Sequence, residues 1–137
     1  MIKEAYCSYE ISKLLKEKGF PQEYDIYHSM VYNEENYEDE YEVQRMVLET
    51  RPVKAGTLSS YPIGVPEPKC YCPTHQMACA WLREVKSINI FILPLRKGYT
   101  YSLYNNTGAL TLKELREYST YENATEEAIK YVLENLL

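Results

Sequence analysis

Apolar and polar positions alternate with different periods along the chain, and the periods divide it into segments. In residues 7–20 the apolar side chains repeat at the i, i+3, i+4 spacing of one helix face: Ile11, Leu14 and Leu15. Ser8 is suited to the N-cap, because its hydroxyl can accept from a free backbone N–H of the first turn. Gly19 suits the left-handed position that ends many helices. The pattern predicts a first amphipathic helix over 7–20.

Residues that favour β-structure dominate 23–32 and 40–49, which are rich in Tyr, Val, Ile and Met. Between them, "NEENYEDEYE" (33–42) holds six acidic residues. We expect a β-hairpin whose polar connection is a solvated acidic loop. The alternative is an acidic decoy that imitates nucleic acid toward a basic partner.

Prolines are concentrated in the middle of the chain, where residues 50–73 contain five of the seven. Proline cannot donate to a sheet ladder and breaks a helix interior, so this density excludes a long helix or a central strand. We predict a Pro-rich surface loop over 50–72 with at most one short edge strand.

The second half of the chain predicts a helix and a strand pair. Pro73 is placed to occupy the first position of a helix that runs to about Val85. Residues 88–95 are almost continuously apolar, which predicts a central strand covered on both faces. A turn at 97–98 then leads to an antiparallel strand over 99–105.

A second loop or short insertion is expected over 105–118, followed by a last helix. Ser119 and Glu122 have the spacing of a capping box. The apolar residues beyond them repeat along one helix face: Ile129, Val132, Leu133 and Leu136.

These segments follow the order α-β-β-α-β-β-α. The order predicts an α+β fold, a small two-layer domain in which an antiparallel sheet of about four strands packs with three helices. The 137 residues are enough for one hydrophobic core, and we treat 1–137 as a single domain.

Composition restricts the classes of partner. The chain has 15 Tyr against 2 Phe and 1 Trp, and Tyr-rich surfaces suit protein interfaces. The net charge is −5 and there is no extended Lys/Arg cluster, so general nucleic-acid binding is not expected. No apolar run is long enough for a signal peptide or a membrane span, which predicts a cytoplasmic protein with reduced cysteines.

The stretch "KCYCPTHQMACAWLREV" (69–85) contains three of the four cysteines and the only tryptophan. Its C-x-C-x₂-H-x₃-C pattern is an alternative zinc ligand set: Cys70, Cys72, His75 and Cys79. Zinc modules usually pair two ligand hairpins a dozen or more residues apart, and this spacing differs. A helical wheel also groups Met77, Ala78, Trp81 and Val85 as the apolar sector, with Cys79 roughly opposite its middle.

We therefore favour a structural helix, with no metal or cofactor and no catalytic residue. A nucleophile–base pair of Cys79 and His75 would need a third, orienting group, and the sequence indicates none. His28 lies in a β-like run and is interpreted as structural. Phosphate-binding glycine loops and the common hydrolase motifs are absent from the sequence, which favours a protein that is not an enzyme.

Three segments resemble small uncharacterised proteins of Bacteroidales phages, prophages and mobile elements. They are the "SYEISKLLKEKGF" helix, the "PTHQMACAWLREV" helix with its P-T-x-Q-M-A-x-x-W-L-R-E-V pattern, and "YENATEEAIKYVL" near the end. The resemblance is strong over about 45 residues. It implies an origin and no activity. It also implies that the position of His75 is commonly Leu in the group and that the position of Cys79 is commonly not Cys, which argues against zinc at the 70–79 set.

These observations predict a non-enzymatic accessory protein that binds through a Tyr-rich protein interface, to a host protein or to itself as a homodimer. The first alternative sequesters a small ligand such as a nucleotide, since aromatic rings stack on bases and Arg grips phosphate. Its candidate contacts are Tyr61, Tyr71, Arg83, Arg96 and Tyr99. The second alternative is a small enzyme or zinc module that uses the 70–79 cluster.

Overall fold

A computed structural model describes residues 2–22, 30–35, 45–50, 68–110 and 116–137. In these residues the fold is α+β with three helices, as predicted. The elements are α1 (Tyr9–Glu17), β1 (Met30–Glu35), β2 (Arg45–Thr50), β3 (Pro68–Cys72), α2 (His75–Lys86), β4 (Asn89–Pro94), β5 (Tyr99–Asn105), β6 (Gly108–Leu110) and α3 (Tyr121–Asn135).

The strands form two three-stranded antiparallel sheets, with the orders β2-β1-β3 and β4-β5-β6, where one sheet of about four strands was expected. The chain divides into two compact units. Ser8–Pro73 is contiguous and is named here the inserted unit. Met1–Cys7 and Thr74–Leu137 together form the split unit.

In the inserted unit, α1 has the predicted caps. The Ser8 hydroxyl accepts from the backbone N–H of Ile11 at 3.2 Å. At the other end Gly19 has φ +96°, and the Phe20 N–H donates to the Leu15 carbonyl at 2.9 Å. This pairing closes the helix as a Schellman motif, which requires a residue that adopts the left-handed conformation without strain.

The sheet of the inserted unit places β1 between β2 and β3. The β1–β2 pair runs from Met30↔Thr50 to Glu35↔Arg45, so the predicted antiparallel pairing of these two segments exists in the described residues. Residues 33–35, predicted as loop, belong to β1 because β2 pairs with all three and β3 also pairs with Asn33. The rest of the acidic stretch, most of the Pro-rich loop and His28 lie outside the described residues.

Strand β3 lies at the edge of this sheet in the described residues, and the Pro-rich loop was predicted to contain at most one such short edge strand. It packs against α1: the Tyr71 ring stacks on Phe20 at a centroid distance of 6.1 Å, and both side chains are buried. The Tyr71 backbone N–H donates to the Gln22 side chain at 2.8 Å. Cys70 and Cys72 are therefore buried strand residues.

In the split unit, α2 and α3 begin one or two residues later than predicted. Thr74 caps α2 by accepting from the Met77 N–H at 3.1 Å, so Pro73 precedes the helix and does not occupy its first position. Thr120, and not Ser119, caps α3 by accepting from the Asn123 N–H at 3.0 Å. Ser119 and Thr120 both have a hydroxyl that can cap a helix, and in the structure Thr120 has the extended backbone and accepts the bond.

Helix α3 supplies much of the core. Three residues of its predicted stripe, Ile129, Val132 and Leu133, are fully buried, and the fourth, Leu136, is half-buried at the C-cap. It packs on the inner face of β4–β5, where Tyr101 and Leu103 are also buried. None of the described helices is long and apolar enough to span a membrane.

The buried face of α2 differs from the predicted sector. Ala78 and Leu82 are fully buried, whereas Met77 and Val85 are 46% and 60% exposed. Cys79, predicted to point away from the core, is half-buried. The face of α2 that packs against α3 therefore contains residues 75, 78, 79 and 82. Ala78 and Cys79 are small, which allows α3 to come close.

Among the described strands, β4 lies at the edge of its sheet and has an exposed face, whereas residues 88–95 predicted a central strand covered on both faces. Strand β6, inside the predicted 105–118 loop, pairs with β5 through a turn at 106–107. Residues 111–115 of that loop lie outside the described residues.

Candidate functional site

The outward face of β4 is apolar and exposed. Residues 90–93 of the strand are Ile-Phe-Ile-Leu, and none of the six residues of β4 is charged. Phe91 and Leu93 are 51% and 43% exposed. Proteins usually protect a sheet edge with charges, a bulge or a covering segment, because unpaired backbone groups and apolar side chains there promote strand pairing. β4 contains no charged residue that would oppose pairing with another strand.

The inward side of β4 is also incompletely covered. Ile90 and Ile92 pair with Leu103 and Tyr101 of β5, so they share the face that α3 covers. Leu103 and Tyr101 are 1% and 8% exposed, but Ile90 and Ile92 are only half-buried. The edge position of β4 explains the difference, since it has a strand neighbour on one side only within the described sheet.

A shallow, open groove of about 580 Å³ follows this face. The Phe91 and Tyr104 rings meet edge to face at a centroid distance of 5.4 Å, and this packing holds the apolar wall in place. Asn89 and Ser102 are the polar groups of the lining. Arg96 and Lys97 lie exposed in the turn that follows β4. A groove with this lining suits apolar side chains of another polypeptide.

A second feature of the split unit joins three side chains with metal-binding or catalytic chemistry. Atoms of Cys7, His75 and Glu126 that could bind a metal lie within 4.8 Å of one another. The His75 Nε2 and a Glu126 carboxylate oxygen are 2.6 Å apart. Cys7 is fully buried, while the side chains of His75 and Glu126 are 11% and 24% exposed.

Local backbone contacts position this cluster. Tyr6 forms an antiparallel bridge with Thr74, and the His75 N–H donates to the Ala5 carbonyl at 2.9 Å. These contacts align Cys7 with the first turn of α2. The Cys7 Sγ also lies 4.0 Å from the Thr74 carbonyl oxygen. Glu126 comes from the second turn of α3, beside a polar cavity of about 340 Å³ that Glu126 and Glu127 help to line.

The four residues of the 70–79 pattern belong to two different elements. Cys70 and Cys72 belong to β3 of the inserted unit, and Cys79 lies one turn after His75 on α2. Burial raises the pKa of Cys70 and of Cys79 to about 11, against the weaker opposing effects of Lys16 and Arg83. These two thiols are therefore poor nucleophiles at neutral pH.

Sequence reasoning identified His75 but missed Cys7 and Glu126. Cys7 is separated from His75 by the whole inserted unit, so no spacing rule connects the two. Glu126 sits among the acidic residues of an amphipathic helix and resembles a solvated side chain. The return of the chain at Thr74 to the N-terminal segment brings Cys7 to His75, and the packing of α3 on α2 adds Glu126.

The predicted small-ligand contacts lie on different elements. Tyr71 packs on Phe20 in the inserted unit. In the split unit, the Arg83 Nε donates to Glu84 at 3.0 Å, and the Tyr99 ring meets Tyr121 at 5.8 Å. Arg96 lies in the turn after β4, and Tyr61 lies outside the described residues. Among the described residues, no hydrogen bond, ion pair or ring contact joins Arg83, Arg96 and Tyr99.

Comparisons of the chain with protein-family models, with curated proteins and with solved structures find no match.

Proposed function

We propose that this is a non-enzymatic binding protein whose interface is β4 of the split unit, and that a second copy of the chain is its partner. The observation that carries the proposal is an uncharged apolar edge strand that is incompletely covered on both faces. The interface so proposed is made of Ile, Phe and Leu side chains with Tyr104, in place of the Tyr-rich surface expected from composition.

Antiparallel pairing of β4 with itself meets the requirements of such an edge. Directly opposed residues of antiparallel strands lie on the same face, so a two-fold axis at Phe91 sets Ile90 against Ile92 of the second copy. Phe91 then faces its own counterpart on the outer face. This arrangement joins the two sheets into one of six strands and covers the half-buried isoleucines of both copies.

The charge distribution favours the same occupant. The segments of the split unit contain eight Lys and Arg and eight Asp and Glu, whereas residues 8–73 contain seven and twelve. The whole net charge of −5 thus comes from the inserted unit. Two split units carry no net charge and do not repel each other at long range.

We also propose that the protein is an accessory protein of phage or mobile-element origin. Support comes from the three segments that resemble such proteins, and the polar positions of the central one have structural roles here. Its polar Thr74 caps α2, and its apolar Leu82 is fully buried in the split unit. The origin proposal would be contradicted if genes neighbouring its coding sequence were consistently housekeeping genes.

The dimer is tested by sedimentation velocity and native mass spectrometry over a range of protein concentrations. We expect the wild-type chain to dimerise and Leu93→Lys to be monomeric, because the substitution places a charge in the apolar interface. Val85→Lys is the matched control, since Val85 is an exposed apolar residue on α2 and lies outside β4. A wild-type monomer at about 100 µM, a typical concentration for weak association, contradicts the proposed partner.

A cysteine pair tests the register. Phe91→Cys places a thiol opposite itself across the two-fold axis, where opposed Cβ atoms are about 4.5–5.5 Å apart. Mild oxidation should then give a covalent dimer, and Val85→Cys should not. Equal cross-linking of both variants would show that collision, and not β4 pairing, brings the thiols together. A bound small molecule in the native mass spectrum would instead support the ligand-sequestering alternative.

A further inference from the structure

The cluster of Cys7, His75 and Glu126 combines three ligand types that zinc accepts. Zn²⁺ binds thiolate sulfur, imidazole nitrogen and carboxylate oxygen, whereas Mg²⁺ and Ca²⁺ prefer oxygen ligands alone. The cluster draws one ligand from each of three chain segments, namely the N-terminal segment, the first turn of α2 and α3. A metal bound there would connect all three segments.

The geometry requires little rearrangement. Ligand atoms of a tetrahedral zinc site are roughly 3.3–3.8 Å apart, as follows from bond lengths of about 2.0–2.3 Å. The three atoms already lie within 4.8 Å of one another. The His75–Glu126 distance of 2.6 Å is that of a hydrogen bond, so the metal would replace this bond by entering between the two groups.

Burial distinguishes a metal site from a thiol nucleophile. Cys7 is fully buried, so a substrate cannot reach its sulfur. A metal ion is small enough to enter past the partly exposed side chains of His75 and Glu126. The polar cavity that Glu126 borders provides the approach from solvent. Three protein ligands leave one position of a tetrahedral site for water or another donor.

We propose that the split unit binds one Zn²⁺ through the Cys7 sulfur, an imidazole nitrogen of His75 and the Glu126 carboxylate. On binding, the Cys7 thiol gives its proton to solvent and sulfur bonds to the metal as thiolate, while His75 binds as neutral imidazole. The ion fastens the N-terminal segment to α2 and α3. The site is separate from the β4 interface and does not depend on dimerisation.

Metal-free full-length protein titrated with Co²⁺ and then with Zn²⁺ tests the site. We expect a thiolate-to-cobalt charge-transfer band, its loss on addition of Zn²⁺, and one zinc per chain in the native mass spectrum. Cys7→Ser should abolish the band. Glu126→Gln should weaken zinc binding at least 10-fold, since the amide is a poor zinc ligand.

Matched variants separate this site from the other cysteines and acids. Cys79→Ser removes a half-buried thiol one turn from His75, and Glu127→Gln changes the exposed neighbour of Glu126. Both should bind zinc as the wild-type chain does. Circular dichroism of each metal-free variant confirms folding, and added Zn²⁺ should raise the melting temperature of the wild type but not of Cys7→Ser.

Two outcomes overturn the proposal. A wild-type chain that retains no zinc would show that His75 and Glu126 form only a hydrogen bond beside a buried cysteine. Loss of the cobalt band in Cys79→Ser but not in Cys7→Ser would place the thiolate ligand elsewhere. We expect the monomeric Leu93→Lys variant to bind zinc as the wild type does. The zinc site and the proposed interface are then tested independently.

Discussion

The four cysteines of the chain occupy different environments, although three of them lie within ten residues of sequence. Cys70 and Cys72 are core residues of β3, Cys79 is half-buried on α2, and Cys7 joins His75 and Glu126. Their environment follows from the elements that carry them and not from their spacing. The thiol with a metal-binding neighbourhood is the one that stands alone in the sequence.

The raised pKa of Cys79 predicts slow alkylation in the native protein. At pH 8 a thiol with a pKa of 9.0 is about 10% thiolate, and one with a pKa of about 11 is about 0.1% thiolate. We expect iodoacetamide to label Cys79 about 100-fold more slowly in the native chain than in the unfolded chain. Peptide mass spectrometry after timed quenching measures both rates. Equal rates in the native and the unfolded chain would contradict the raised pKa.

Some residue roles were predictable because they depend on near neighbours. Ser8 and Gly19 cap α1 as their chemistry indicates. The caps of α2 and α3 were displaced by one or two residues, since Pro73–Thr74 and Ser119–Thr120 each offer adjacent start signals. Local chemistry ranks such neighbours equally, and the packing of the helix decides which backbone stays extended.

At the scale of elements, the errors fall on segments whose hydrophobic pattern has no clear period. Residues 88–95 are nearly all apolar, and such a run is consistent with a central strand or with an exposed edge. The wheel of α2 allows two overlapping apolar faces, and packing with α3 selects the one with Ala78 and Leu82. The position of β4 in its sheet and the buried face of α2 were therefore determined by the elements that pack against them, and not by the hydrophobic period.

The turn between β4 and β5 depends on Gly98. The backbones of Tyr99 and Tyr118 form a bridge through hydrogen bonds of 2.9 and 2.7 Å, and a Cβ atom on Gly98 would clash with the Tyr118 carbonyl oxygen. We expect Gly98→Ala to reduce the free energy of unfolding by about 1–3 kcal/mol, the usual cost of overpacking. Urea denaturation measures the change.

Lys97→Ala is the control for this variant, because Lys97 is exposed in the same turn. A surface substitution of this kind should change the free energy of unfolding by less than about 0.5 kcal/mol. If Gly98→Ala were equally neutral, the 116–119 segment would have to move away from the turn without loss of stability.

At the scale of the whole molecule, the chain divides between residues 7 and 8 and between residues 73 and 74. The two units defined in this way differ in net charge. The α+β class was accessible from sequence because amphipathic helices and apolar strands have local patterns. The division into a split and an inserted unit was not, since the pairing of Tyr6 with Thr74 spans 8–73. The candidate zinc site depends on that pairing and was hidden for the same reason.

Alkaline pH should destabilise the molecule through Tyr101. Burial, followed by the neighbouring Tyr118, raises the pKa of Tyr101 from 10.0 to about 12. A raised pKa means that the folded state favours the protonated phenol, so its stabilising effect is complete below pH 10 and is lost as pH rises through about 12. Guanidinium denaturation at pH 9, 10 and 11 should show a falling free energy of unfolding.

Tyr101→Phe removes the ionisable group and keeps the ring. We expect a smaller decline in the free energy of unfolding above pH 10 for this variant than for the wild type, measured from the same reference at pH 9. Parallel declines would show that other groups, such as Cys70 with a pKa of about 11, account for the alkaline loss.

The bridge between Tyr6 and Thr74 also orders events during synthesis. Residues 1–7 emerge from the ribosome well before Thr74, with which Tyr6 pairs. They therefore have no partner strand while Ser8–Pro73 is being synthesised. The inserted unit is contiguous and has all its own sequence available at that stage. The split unit is complete only after α3, the last of its elements in chain order, has emerged. A chain stalled before α3 would therefore present β4 and β5 with their inner face uncovered, at the moment when nascent chains are closest together on a polysome.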